Sequence, residues 1–197
     1  ALHGFLDAAE GAAAKVLAVF DNEEVGSQTR QGAASTFLYD VLRRVSAAFG
    51  KDYDAAVAGS LMLSCDNAHA IHPNHPEYAD KNHHVRMNGG VVVKYNANQR
   101  YTTDAWSAAL FRVICARAGV PVQLYANRAD MPGGSTLGNI ANTQVSLPTV
   151  DIGAAQLAMH SAYETAGAAD TAYLYRAIKQ AFETSLTAVS DGAAEIE

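Results

Sequence analysis

The stretch Ala18-Val-Phe-Asp-Asn-Glu-Glu-Val-Gly-Ser27 decides how this chain is read. It extends an apolar run from Lys15 to Phe20, which leads straight into Asp21, Asn22, Glu23 and Glu24 before the chain turns on Gly26. The run predicts a buried strand with acids crowded at its C-terminal mouth. Three acids within four residues repel one another and call for a compensating charge. A solvated turn is the plain alternative for any pair of glutamates, and Asp21 reads as such a turn former.

Working outward, the 197 residues are 49% hydrophobic, enough for a single domain over residues 1–197 with one sizeable core. Apolar strands alternate with amphipathic helices, which predicts an α/β layered fold with a central mixed sheet flanked by helices. Charged residues make up only 17% and the net charge is -6, which argues against nucleic acid as a partner. No apolar run has the length of a bilayer span or the layout of a signal peptide. Cys65 and Cys115 form no CxxC pair and read as reduced thiols of a cytoplasmic protein. The opening "ALHGFLDAAEGAAAK" reads as the end of a helix, and the expectation is the C-terminal part of a longer protein.

Further along, "FLYDVLRRVSAAFG" has helical spacing and a stop at Gly50. A strand is expected over Ser60–Cys65, ending at Asp66, then a polar loop holding five of the seven histidines. "GGVVVKYN" predicts a strand carrying Lys94. "TTDAWSAALFRVICARAG" predicts a helix started by Thr102 or Thr103, with Trp106, Leu110, Val113 and Ile114 facing the core. "PVQLYANR" is a strand, "MPGGSTLGNIAN" a loop opening a helix, and "LPTVDIGAAQLAMHS" a short strand and loop delivering His160. A last helix over Asp170–Leu186 is followed by "SDGAAEIE", read as a frayed acidic tail.

Three predicted strands thus end in groups capable of metal or proton chemistry: Glu23 with Glu24, Asp66, and His160. Ligands of open α/β sheets bind outside the carboxyl ends of the strands. Carboxylates and an imidazole converging there suit zinc or a similar cation, whose charge offsets their repulsion. Neighbouring side chains on a turn point apart, so Glu24 can hold a metal while Glu23 faces the water to be activated.

"FDNEEVGS", "SCDNAHAIHPN", "VVVKYNANQRY", "GGSTLG" and "DIGAAQLAMHS", in this order, resemble the C-terminal half of the catalytic domain of aspartyl aminopeptidases. That resemblance implies a zinc-exopeptidase (phosphorylase/hydrolase-like) fold with its site at the strand C-terminal ends. It implies two zinc ions per complete site, other divalent metals being alternatives, and peptide substrates with an acidic N-terminal residue. Glu23 would be the general base. Glu24 and His160 would hold one zinc and Asp66 the other, and Lys94 would lie in the pocket for the acidic side chain. The family also uses an upstream His and a bridging Asp. Neither motif stands in this chain, so both are expected ahead of Ala1, along with a dimerisation domain. A homo-oligomer, in this family a dodecamer, is implied as well.

Other residues carry open alternatives. Lys94 reads either as a solvated edge lysine or as a selectivity charge for Asp and Glu side chains. His69 and His72 read as cleft residues that touch substrate or as structural loop histidines; His75, His83 and His84 read as surface or inter-subunit. Gly134, Ser135 and Thr136 either face substrate with the N–H groups of a helix start or form a plain strand-to-helix turn. Two rival functions stand beside the acidic-residue aminopeptidase: another co-catalytic metallo-exopeptidase, or a non-catalytic oligomerisation or binding module of the same fold.

Overall fold

The computed structural model describes residues 1–190 and 192–197. In chain order the elements begin with α1 (Leu2–Leu6), α2 (Phe37–Ala48), α3 (Tyr53–Ala58), β1 (Met62–Cys65), β2 (Ala68–His69), β3 (Val91–Tyr95), α4 (Ala105–Arg117) and β4 (Val122–Ala126). There follow α5 (Leu137–Ala141), β5 (Thr149–Gly153), β6 (Ala155–Leu157), β7 (Thr165–Ala166), α6 (Ala168–Glu183), β8 (Leu186–Ser190) and β9 (Ala193–Ile196).

The central sheet runs β1-β5-β3-β4 and is mixed, as the sequence predicts. β1 lies parallel to β5, with Ser64 opposite Asp151, and β3 runs antiparallel to β5 and parallel to β4. β3 and β5 are buried over nearly their whole length because both faces of the sheet are covered. On one face Val91, Val93, Val150 and Ile152 pack with Phe111, Ile114 and Cys115 of α4 and with Ala177 and Ile178 of α6. Each of the Val, Ile and Phe side chains among these, fully withdrawn from water, stabilises by about 1.5–3 kcal/mol. On the other face α5 meets α2 through Ala141, Val145 and Leu38. A small second sheet, β2-β6-β7, extends the strand ends.

Several expectations are corrected. Residues 15–20 form no strand: Val19 is 76% exposed, and the segment's one ladder-type contact, Asn22 to Gly32, lies beyond it. Apolar composition alone does not make a strand where no neighbouring strand receives its N–H and C=O groups. Helix α4 starts at Asp104, whose carboxylate accepts from Ser107 N in a capping box, because the threonine side chains before it serve Asp151 instead. Phe111 and Cys115 face the core in place of Val113, which is 44% exposed. The C-terminal residues pair as a hairpin, Leu186 opposite Ile196 and Thr187 opposite Glu195, rather than fraying.

Two connections position the site. Asp66 is the first residue beyond β1, and its N–H donates to Ile152 O at 2.9 Å. The same β5 chain continues through β6 to His160, so one strand fixes two of the predicted functional residues.

Candidate metal centre

The acidic turn is held by its own backbone and hydroxyls. Gly26 takes φ 89°, a left-handed value that suits glycine, and a Cβ there would stand 2.8 Å from Asn22 Nδ2. Ser27 Oγ donates to Glu23 O, and Asn22 Nδ2 donates to Thr29 Oγ1 at 3.3 Å. Asn22 and Ser27 therefore supply side-chain bonds that close the turn.

This geometry presents Glu23 and Glu24 differently. Glu24 is 64% exposed and its Oε1 lies 2.8 Å from His160 Nε2. Glu23 is half-buried, and its carboxyl is pushed up to about 7. Desolvation is the main cause, followed by hydrogen bonding to Glu24 and the negative charges of Glu24 and Asp66; His160 opposes the shift. Glu23, Glu24, Asp66 and His160 thus come within electrostatic reach of one another. His160 adopts φ 67°, and its N–H donates to Glu164 Oε1 at 2.6 Å, which holds this uncommon backbone in place.

Lys94 is 2% exposed, and its ammonium donates to Asp66 O at 2.9 Å, Asn67 O at 3.3 Å and Asp66 Oδ2 at 3.4 Å. It also stands 5.2 Å from the ring centre of Tyr101. Burial lowers its proton affinity, and the charges of Asp66 and Asp151 counter that loss. Of the two readings of Lys94 the solvated edge lysine is therefore corrected: Lys94 is buried and committed to Asp66 and Asn67 from behind. An isolated ammonium is too strongly hydrated to be buried without such partners.

A cleft of about 330 Å³ is lined among others by His69, His72, Tyr125, Arg128, Gly134 and Ala158; Glu23, Glu24, Asp66, Lys94 and His160 are not among its lining residues. His69 is held below the usual histidine range, first by desolvation of its ring and then by the charges of His160 and Lys94. His75 and His83 pair with Glu77 and Asp80 at 3.1 and 2.7 Å. Of the glycine-rich segment, only Gly134 lines the cleft among the three residues singled out. Ser135 Oγ donates to Asn139 Oδ1, and Thr136 is 1% exposed with its hydroxyl donated to Asp151. The expectation that Thr136 faces substrate is corrected, because its one hydroxyl proton is already committed.

By donor type the residues fit zinc, which takes carboxylate oxygen and imidazole nitrogen. By number they fit in part. Glu24 and His160 form one pair and Asp66 stands as a separate donor; among the described residues no group of three or more His, Cys, Asp or Glu could hold a metal ion. Sequence reasoning passed over Tyr101, Glu164 and Asp151. For Asp151 a signal was present: an acid in the middle of "TVDIG", as anomalous there as Lys94 is among valines.

A mixed sheet between helix layers, with carboxylates and an imidazole beside a cleft at its strand ends, is the arrangement of the zinc exopeptidase class. The chain belongs to the Aminopeptidase I zinc metalloprotease (M18) family, which it matches over residues 1–182. It is 48% identical over 180 residues to a probable M18 family aminopeptidase 2 of Mycobacterium tuberculosis, covering 90% of this chain and 41% of the relative. It is 44% identical over 172 residues to a probable aspartyl aminopeptidase of Ricinus communis, covering 86% and 35%. The solved S. cerevisiae mApe1 dodecamer superposes with a TM-score of 0.74 at 34% identity, over 83% of this chain and 36% of that one. The chain therefore spans about two fifths of the length of the curated relatives it matches.

Proposed function

We propose that the protein carrying this chain is a two-zinc aminopeptidase that removes acidic N-terminal residues from peptides. The observation that carries this reading is the gathering of Glu23, Glu24, Asp66 and His160 within electrostatic reach of one another, with Glu24 Oε1 2.8 Å from His160 Nε2. Glu24 and His160 would hold one ion and Asp66 the other. A zinc ion bound there supplies Lewis acidity that makes water easier to deprotonate. Glu23 would take a proton from the attacking water and return it to the leaving amine. Lys94 orients Asp66 and places a positive charge beneath the site. A substrate carboxylate would take over the contact that Asp66 Oδ2 makes at 3.4 Å, the longest of the three. Similarity to the probable aspartyl aminopeptidase of Ricinus communis supports the acidic preference, and the S. cerevisiae dodecamer supports a homo-oligomer. The free thiols Cys65 and Cys115 accord with a reducing compartment, here taken as the cytoplasm.

The test is a panel of aminoacyl substrates offered to the full-length protein with and without a zinc chelator. Hydrolysis of Asp and Glu derivatives that stops on chelation supports the reading. Equal turnover of Leu and Asp derivatives would move it to a metallo-exopeptidase of different specificity. A non-catalytic module of the same fold is the second reading, and zinc analysis of the full-length protein separates the two.

A further inference from the structure

Asp151 takes no part in the chemistry above, yet it is an acid with no exposed surface in the middle of the central sheet. Its two oxygens are shared between two segments that are 34 residues apart at Thr102 and Thr136. Oδ2 accepts from Thr102 N at 2.6 Å and from Thr102 Oγ1 at 2.9 Å. Oδ1 accepts from Thr136 Oγ1 at 2.6 Å. Thr136 is the last residue before α5 and makes no side-chain cap to that helix, so its hydroxyl serves Asp151 alone. The loop that Thr136 closes, residues 131–136, gives the cleft Met131, Pro132 and Gly134. A second tie reaches it from the other segment: Arg100 Nη1 donates to Gly133 O at 3.2 Å. Close packing completes the seat, since a Cβ on Gly138 would stand 2.8 Å from Ser64 Oγ and 2.9 Å from Asp151 Oδ1.

We propose that Asp151 is a positioning residue that pins the glycine-rich loop against the sheet through Thr136, so that the cleft wall is already formed when substrate arrives. The proposal rests on the aminopeptidase reading and takes the cleft lined by His69, His72 and Gly134 as the place where its peptide substrate lies. A loop rich in glycine and proline without such a tie samples many conformations, and ordering it on binding weakens affinity without touching the reacting groups. The charge-assisted bond from a buried hydroxyl to a carboxylate is strong enough to hold one of them.

The decisive variant is Thr136→Val in the full-length protein, because valine matches threonine in shape and removes only the hydroxyl. KM for an aminoacyl substrate should rise about five- to tenfold, the loss of one positioning hydrogen bond, with kcat close to wild type and a lower melting temperature, since the buried Asp151 Oδ1 then lacks its donor. Amide hydrogen exchange at residues 133–136 should quicken, and Thr136→Ser, which keeps the hydroxyl, should restore both. Unchanged KM and exchange in Thr136→Val overturn the proposal. So does failure of Thr136→Ser to restore them, because the methyl group rather than the hydroxyl would then matter. If wild type cleaves no aminoacyl substrate, the functional reading falls, while the exchange measurement still decides whether the pin exists.

Discussion

Asp151 and Glu24 are both acids next to apolar runs, and the fold treats them in opposite ways. Asp151 is fully buried and accepts three hydrogen bonds from two threonines. Glu24 is 64% exposed and meets His160, itself 62% exposed, on a loop with left-handed backbone at Ala158 and His160. The first carboxylate is satisfied by folding, and removing it leaves donors stranded in a dry interior. The second is left open by folding, which makes it available to a ligand. Lys94 and Asp66 stand between these extremes, with the cation 2% exposed and the carboxylate 39% exposed.

This ordering predicts an ordering of stability losses in equilibrium denaturation. Asp151→Leu should have the largest effect, on the order of 3–5 kcal/mol, because the N–H and O–H groups aimed at it keep no buried acceptor. A loss below about 1 kcal/mol would show that those donors find other partners and would break the contrast. Lys94→Met should cost about 2 kcal/mol, since the carbonyls of Asp66 and Asn67 lose their donor while water can still reach the Asp66 carboxylate. Glu24→Gln should change stability by at most about 0.5 kcal/mol, as expected for an exposed pair. Added zinc sharpens the same comparison: it should raise the melting temperature of the full-length wild type more than that of Glu24→Gln, because a ligand stabilises only the state that binds it.

Much of this was legible beforehand for a physical reason. The helix α2 and the buried strands β3 and β5 follow from periodicity, and Asp66 directly after β1 from strand-end chemistry, both of which are local. The misread parts depend on partners that periodicity does not encode. Residues 15–20 are apolar enough for a strand, but a strand exists only with a neighbour. Thr102, Thr103 and Thr136 look like cap or substrate residues until Asp151 claims their hydroxyls from up to 49 residues away. The sequence leaves Lys94 open between a solvated edge lysine and a pocket charge because its three acceptors, all from Asp66 and Asn67, are invisible along the chain.

The central claim is the division of labour between two adjacent glutamates, one moving a proton and the other holding a metal. Zinc content and kcat measured side by side on Glu23→Gln and Glu24→Gln of the full-length protein test it directly. Glutamine keeps the shape of each side chain while removing its charge. Glu23→Gln should retain zinc at the wild-type level and lose about 10²–10⁴ in kcat, with KM little changed. Glu24→Gln should lose zinc and regain part of its activity when zinc is supplied in excess. If Glu23→Gln strips the metal while Glu24→Gln stays loaded and slow, the two roles are reversed and the account is contradicted.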